Sequence, residues 1–283
     1  MPRESSSKGT QMLEIPTRFY RIYLESKPYG CDEKDFHYVD QKLVIPVSQA
    51  CLVLVDCWSK RVFLGVSHYC RSWTNRATGI IRDRIVPVVE AARGARVKII
   101  HAPSQNIAQK YPQSQAFFQP GDDEVGPRYA DVDPEWPPKE FVERSAGYEA
   151  FRRESHPRAQ VWLDEYKDQM ISGLVAPRPE DYVVRSGSQL HRILKHFKIL
   201  HLFYAGFATN MCLHHRDYGM RAFSERGYNT ILIRDCTTAV ETHDTVDELL
   251  TTKVSVQELE MQRAFSMTSA DFIAACGRVS KAI

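Results

Sequence analysis

What most constrains the fold of this chain is a series of short apolar runs, each stopped by a polar residue or a turn and followed by a helix-length stretch. Cys51-Leu-Val-Leu-Val55 stops at Asp56, Val97-Lys-Ile-Ile100 at His101, and Tyr182-Val-Val184 at Arg185. Ile199 to Ala205 stops at Gly206, and Tyr228 to Ile233 runs out just ahead of Asp235. Runs that are apolar without alternating are buried on both faces, as interior parallel strands are. Between the first two, Ile80, Ile81, Ile85, Val88, Val89 and Ala92 recur near helical spacing, and Gly94 closes the stretch. Further helices are expected over Gln189 to Phe197, Met211 to Arg226, about Val246 to Met261, and from Ser269 onward, with a sixth short strand near Ala264 to Ser266. The alternation predicts an α/β fold: a three-layer α/β/α sandwich around a mostly parallel sheet of five or six strands.

Two segments break the alternation. Residues 1–48 begin with a polar, Ser-rich leader and continue as an arm mixing aromatic and polar residues (Phe19, Tyr20, Tyr23, Tyr29, Tyr38). The arm reads as extended, packing on the body or on another subunit. The body is residues 49–283, with an insertion at 104–180 that carries Pro112, Pro120, Pro127, Pro134, Pro137 and Pro138 and little periodicity. A short helix of its own is expected near 160–169. Loops of that length serve as lids, binding loops or interface arms.

Composition narrows the function classes. A chain of 283 residues, 43% hydrophobic, closes a full core without disulfides. Its seven cysteines are scattered without Cys-x-x-Cys spacing, which points to reduced thiols and a cytoplasmic setting. A formal charge of +2 gives no basis for a nucleic-acid or acidic-membrane partner. There is no glycine-rich nucleotide motif after the first strand and no P-loop. His68 with Cys70, His214-His215, and Glu241 with His243 and Asp244 lack the spacing of a ligand set, so neither a metal nor a cofactor is expected.

Open parallel sheets bind ligands beyond the carboxyl ends of their strands. The residues there are Asp56, His101, Arg185, Cys212 and Asp235, of which Asp235 reads as a structural cap. A carboxylate ending a buried strand is desolvated, its pKa rises, and it is suited to taking and returning a proton. Cys212 follows a tight turn and starts a helix. The partial positive charge of a helix start is expected to lower the thiol's pKa, and the N–H groups of the turn to face a developing oxyanion. Taken singly, Asp56 also reads as a helix cap and Cys212 as a small buried residue.

Val55-Asp56 together with Tyr204-Ala-Gly-Phe-Ala-Thr-Asn-Met-Cys212, continued by Gly227-Tyr-Asn-Thr-Ile-Leu-Ile-Arg-Asp235, resembles the isochorismatase-like cysteine hydrolases. That superfamily includes nicotinamidases, N-carbamoylsarcosine amidohydrolases, and biuret and ureidoacrylate hydrolases. The likeness covers most of 48–103 and 181–275. It implies a Rossmann-like fold and an Asp–Lys–Cys triad in which Cys212 is the nucleophile and Asp56 the acid and base. It also implies a cis bond at Phe207–Ala208 and an oxyanion hole made by the N–H groups of Ala208 and Cys212. The lysine has no counterpart at the end of the third strand, where the chain reads Val183-Val-Arg185-Ser-Gly-Ser-Gln189. Arg185 stands nearest; it holds charge but carries no proton. Lys60 or Lys110 is the alternative, and a site that binds without turnover is a third reading. Trp58, His101, Phe207 and Thr209, with Lys60 and Lys110, are expected to contact the substrate. The expected function is hydrolysis of an amide-type C–N bond of a small molecule through a thioester, by a homo-oligomer. The alternatives are a non-catalytic binder on the same fold and a vinyl-ether hydrolase, which needs no cysteine.

Overall fold

The computed structural model describes residues 11–27, 29–59, 71–123, 136–154, 160, 164 and 166–281. Its strands are β1 (Met12–Arg21), β2 (His37–Pro46), β3 (Ala50–Val55), β4 (Lys98–Ala102), β5 (Tyr182–Val183), β6 (His201–Gly206), β7 (Asn229–Ile233) and β8 (Phe265–Met267). They form one sheet in the order β2-β1-β8-β7-β6-β3-β4-β5. From β8 to β5 every neighbouring pair is parallel, and these are the six runs picked out by apolarity. The arm adds two more strands. β1 and β2 pair antiparallel along their whole length, and β1 joins β8 at Arg18–Ser266. In the arm Leu13, Ile15 and Thr17 alternate inward, a half-buried pattern that the polar Thr17 and Glu14 disguise.

Both faces of the central strands are covered, because alternate side chains of β3 enter separate cores. Leu52 and Leu54 pack with Trp73, Ile81, Ile85, Val88 and Phe272. Those residues belong to the helix Arg71–Ile80, its π-helical continuation Ile81–Ile85, the helix Val86–Gly94 that follows, and the helix Ser269–Ser280. Cys51, Val53 and Val55 pack with Leu190, Ile193, Phe223 and Leu259, from the helices Gly187–Phe197, Met220–Glu225 and Leu250–Met261. This is the three-layer arrangement. Among the described residues no helix is long and apolar enough to cross a membrane.

The strand order sets the position of the site. β4 and β5 extend the sheet to one side of β3, and β6, β7 and β8 to the other. β3 and β6 therefore flank the switch point, where the loops leaving the carboxyl ends part and open a crevice. Gly206 closes β6 against β3 at φ +119°, and a Cβ there would meet the Val55 carbonyl oxygen at 1.9 Å. Gly206→Ala is expected to cost about 3 kcal/mol or more of stability, measured by chemical denaturation. Gly277→Ala, in open space on a helix, is expected to be neutral or stabilising.

Candidate active site

Asp56 is the first residue beyond β3. It is only 5% exposed and adopts φ +44°, a conformation uncommon outside glycine. Its Oδ1 accepts hydrogen bonds from Trp58 Nε1 (2.9 Å) and from the N–H of Ser104 (2.9 Å), just past β4. Oδ2 is buried, with no donor at ordinary hydrogen-bond distance among the described residues. The Cys212 thiol is coupled to this same carboxyl. Burial raises the Asp56 pKa, opposed in part by the thiol, the Arg216 charge, Trp58 and the Ser104 N–H.

Cys212 follows β6 through the turn Phe207 to Met211, and the Phe207–Ala208 peptide is cis, as the resemblance implied. Within the turn Met211 and Leu213 donate to the Ala208 carbonyl, and Thr209 N–H donates to Thr238 O. The N–H groups of Ala208 and Cys212 donate to no other protein group among the described residues. The helix that starts at Cys212 is only one turn long, Cys212–His215, rather than continuous to residue 226. Arg216 is extended (φ −64°, ψ 159°), and helix resumes at Met220 after Gly219.

The thiol's pKa moves against the expected sign. A single turn brings little dipole to bear. Burial, reinforced by the neighbouring Asp56 carboxylate, pushes the thiol up to about 12. Cys212 is thus a protonated thiol at neutral pH, held beside the Asp56 carboxyl.

Asp56 and Cys212 lie in one cavity of about 70 Å³, walled by Trp58, Trp73, Phe207, Ala208, Met211 and Val240. Trp73 meets Phe207 edge to face, and Trp58 meets Tyr166 likewise. The Tyr166 hydroxyl shares a hydrogen bond with Ser104 Oγ (2.5 Å). Ser59 N–H donates to Met170 O and Ser172 N–H to Cys57 O, so the end of the insertion is laid along the chain that leaves Asp56.

The structure brings together some of the expected contact residues and disperses others. Trp58, Phe207 and Ala208 line the cavity. Thr209 is fully buried and bonds Thr237 Oγ1 (2.7 Å) instead. His101 faces Asp181 (3.5 Å), and burial lowers its pKa despite that neighbour. Asp181 is held at about 2, since the His101 ring beside it and hydrogen bonds from Arg93 and the Arg178 N–H outweigh its burial. Lys110 donates to the carbonyls of Lys167 and Gln169. Lys60 lies outside the described residues. Arg185 donates to Ser114 Oγ (3.1 Å) and stacks on Phe118 (4.3 Å).

A cation coupled to both Cys212 and Asp56 is Arg216, four residues after the cysteine, which sequence reasoning passed over. Burial alone would lower its pKa; Tyr218, the Cys212 thiol and Asp56 reverse this and hold it firmly protonated. Its side chain is nonetheless open to solvent, as a residue at the rim of a site would be. Tyr218 sits beside this group with its hydroxyl buried and unpartnered among the described residues. A usable signal was present in Arg216-Asp-Tyr-Gly219: a glycine in mid-helix marks a possible break. Among the described residues no group of three or more His, Cys, Asp or Glu is placed to hold a metal ion. Asp235 caps the last helix, accepting from Ser269 N–H (2.7 Å) and Oγ (2.6 Å).

No curated protein sequence matches the chain. Among solved structures it is similar to a cysteine hydrolase from Pseudomonas syringae pv. phaseolicola 1448A, at 16% identity over 83% of this chain and 95% of that one (TM-score 0.48). It is similar to an isochorismatase family protein from Burkholderia thailandensis at 17% identity, over 81% and 96% of the two chains (TM-score 0.43). The N-carbamoylsarcosine amidase of Thermoplasma acidophilum shares 16% identity over 78% and 96% (TM-score 0.41). The Isochorismatase domain model matches residues 50–258, a span that holds β3 to β7, Asp56, Cys212 and Arg216, and the chain belongs to the isochorismatase family.

Proposed function

We propose that this protein hydrolyses an amide-type C–N bond of a small molecule, with Cys212 as nucleophile and Asp56 as the group that moves the proton. One observation carries the reading: a thiol and a desolvated carboxyl are coupled inside one small cavity. Asp56 takes the thiol proton as sulfur attacks the carbonyl carbon. The C–N bond breaks, the proton passes from Asp56 to the leaving nitrogen, and a thioester remains on Cys212. Water, deprotonated by Asp56, then attacks the thioester carbonyl and the thiol is restored. The unpartnered N–H groups of Ala208 and Cys212 are suited to hold the oxyanion in both halves of the reaction. Aromatic walls in a cavity of about 70 Å³ favour a small, planar acyl group.

Arg216 supplies the fixed positive charge. It cannot carry a proton, but it stabilises sulfur as the thiol ionises. Arg216→Gln is expected to lower kcat/KM by about a hundredfold or more, with part of the loss recovered in Arg216→Lys. Arg185→Gln, in a variant that still folds, is expected to cost less than about tenfold. Steady-state kinetics of the three variants checks both statements.

The function itself is tested by ammonia or amine release from a panel of small amides and ureas, with rapid acid quench and mass spectrometry of the Cys212 peptide. An acyl adduct on Cys212 is expected. Turnover without an adduct removes the thioester, and no release from any member of the panel favours a binding protein.

A further inference from the structure

At one border of the sheet, β2 pairs with β1 and with no other strand among the described residues. Its outer edge is thus a ten-residue row of alternately outward N–H and C=O groups. A free edge of that length is a template for another strand unless like charge, proline or a bulge blocks it; in β2 proline stands only at the end (Pro46), and its two charged residues, Asp40 and Lys42, are of opposite sign. Here the register with β1 runs unbroken from His37 to Pro46. The hairpin also exposes large apolar side chains: Met12 (39%), Tyr38 (44%) and Val44 (54%).

The sequence of β2 states what fits against it. In an antiparallel pair, facing residues must both present their backbone groups or both turn them away. Two copies of β2 can therefore meet only about an axis through a residue, not between residues. With the axis at Gln41, Asp40 faces the partner's Lys42, and the reciprocal pair forms on the other side. Val39 then faces the partner's Leu43, and Tyr38 faces the partner's Val44. Moving the axis one residue to Asp40 or Lys42 sets that charge against its own copy. One register is complementary and its neighbours are repulsive, which is how pairing is specified. Within each copy Lys42 also pairs with Glu14, and Asp40 stands opposite Arg18, so charges alternate across the seam.

We propose that β2 is a homodimer seam: two copies pair β2 with β2 antiparallel about Gln41, joining two eight-stranded sheets into one. The occupant of this edge is a second copy of the chain, selected by the reciprocal Asp40–Lys42 contacts. The seam lies at the opposite side of β8, β7 and β6 from β3 and Asp56, so it leaves the cavity open.

The test uses the full chain with Cys31→Ser, since Cys31 is half-exposed near the hairpin. On the axis, Gln41 faces its own copy with Cβ atoms about 4.5–5.5 Å apart, near enough for a disulfide after modest adjustment. Gln41→Cys, oxidised with copper–phenanthroline, is expected to give mostly covalent dimer on a non-reducing gel, and Val44→Cys none above the background of the parent. By sedimentation the parent is expected to be dimeric, and Lys42→Asp, which sets like charges face to face twice, to weaken the dimer by about tenfold or more. Circular dichroism confirms that each variant folds. A parent that stays monomeric near 100 µM (roughly the weak end of specific association) overturns the proposal. So does an oligomer that Gln41→Cys fails to cross-link.

Discussion

Cys212→Ala is expected to lower kcat by about 10⁵-fold or more, a loss of the size seen when a nucleophile is deleted from an otherwise intact site. The expectation is large because the described residues of the cavity offer no substitute. Besides Asp56, its lining comprises Trp58, Trp73, Phe207, Ala208, Met211, Cys212 and Val240. Asp56 is the proposed base and cannot be both groups at once. Cys212→Ser is expected to fall nearly as far, since a hydroxyl is harder to ionise than a thiol and Asp56 is a weak base for it. Burial and the Asp56 carboxylate push the thiol up to about 12. Alkylation of Cys212 by iodoacetamide near neutral pH is accordingly expected to be slower than that of an ordinary exposed thiol, and to accelerate as pH rises. Rapid labelling near neutral pH would show an ion pair already formed in the resting enzyme. A Ser variant as active as the parent would remove sulfur from the mechanism altogether.

The parts of this site legible in the sequence are those that rest on backbone architecture. Cys51 to Val55 and Ile199 to Ala205 read as buried strands, and the residues just past them, Asp56 and Cys212, are where the switch point lies. Gly206 was legible as a sharp turn after the strand, while the close approach of the Val55 carbonyl that demands glycine there appears only in the fold. The illegible parts depend on tertiary packing. Trp73, Met211 and Val240 come from three separate segments and meet only in the folded cavity. Arg216 was hidden because Met211 to Arg226 has helical spacing throughout, while the chain leaves the helix at Arg216 and resumes it at Met220. The same break removed the long helix whose dipole was expected to acidify the thiol. The arm was read as extended but not as sheet, since an edge hairpin needs only one apolar face and Thr17 occupies part of it.

Asp56→Asn is expected to lower kcat by about ten-thousandfold, the scale on which an amide replaces a working carboxylate with the geometry kept. Oδ1 can still accept from Trp58 Nε1 and the Ser104 N–H, so the loop should hold its shape. What the amide cannot do is accept the thiol proton. Burial raises the Asp56 pKa above the ordinary carboxylate value, so the acid limb of kcat/KM in the parent is expected above that value, falling about tenfold per pH unit. No alkaline limb from the thiol is expected until pH approaches 12, and Arg216 stays charged throughout. Stability moves the other way. A carboxyl whose folded pKa is raised binds its proton more tightly when folded than when unfolded. The stability it favours is therefore full at low pH and is lost as pH climbs from the unfolded value through the folded one. Above that window the ionised Asp56 is a buried charge that weakens the fold, and Asp56→Asn relieves it. The variant is expected to denature at a higher midpoint than the parent at neutral pH, with the difference shrinking in acid, while its residual activity loses the acid limb. An Asn variant that is less stable at neutral pH, or a parent whose activity titrates below the ordinary carboxylate range, would mean that Asp56 is held ionised by its partners and is too weak a base to deprotonate Cys212.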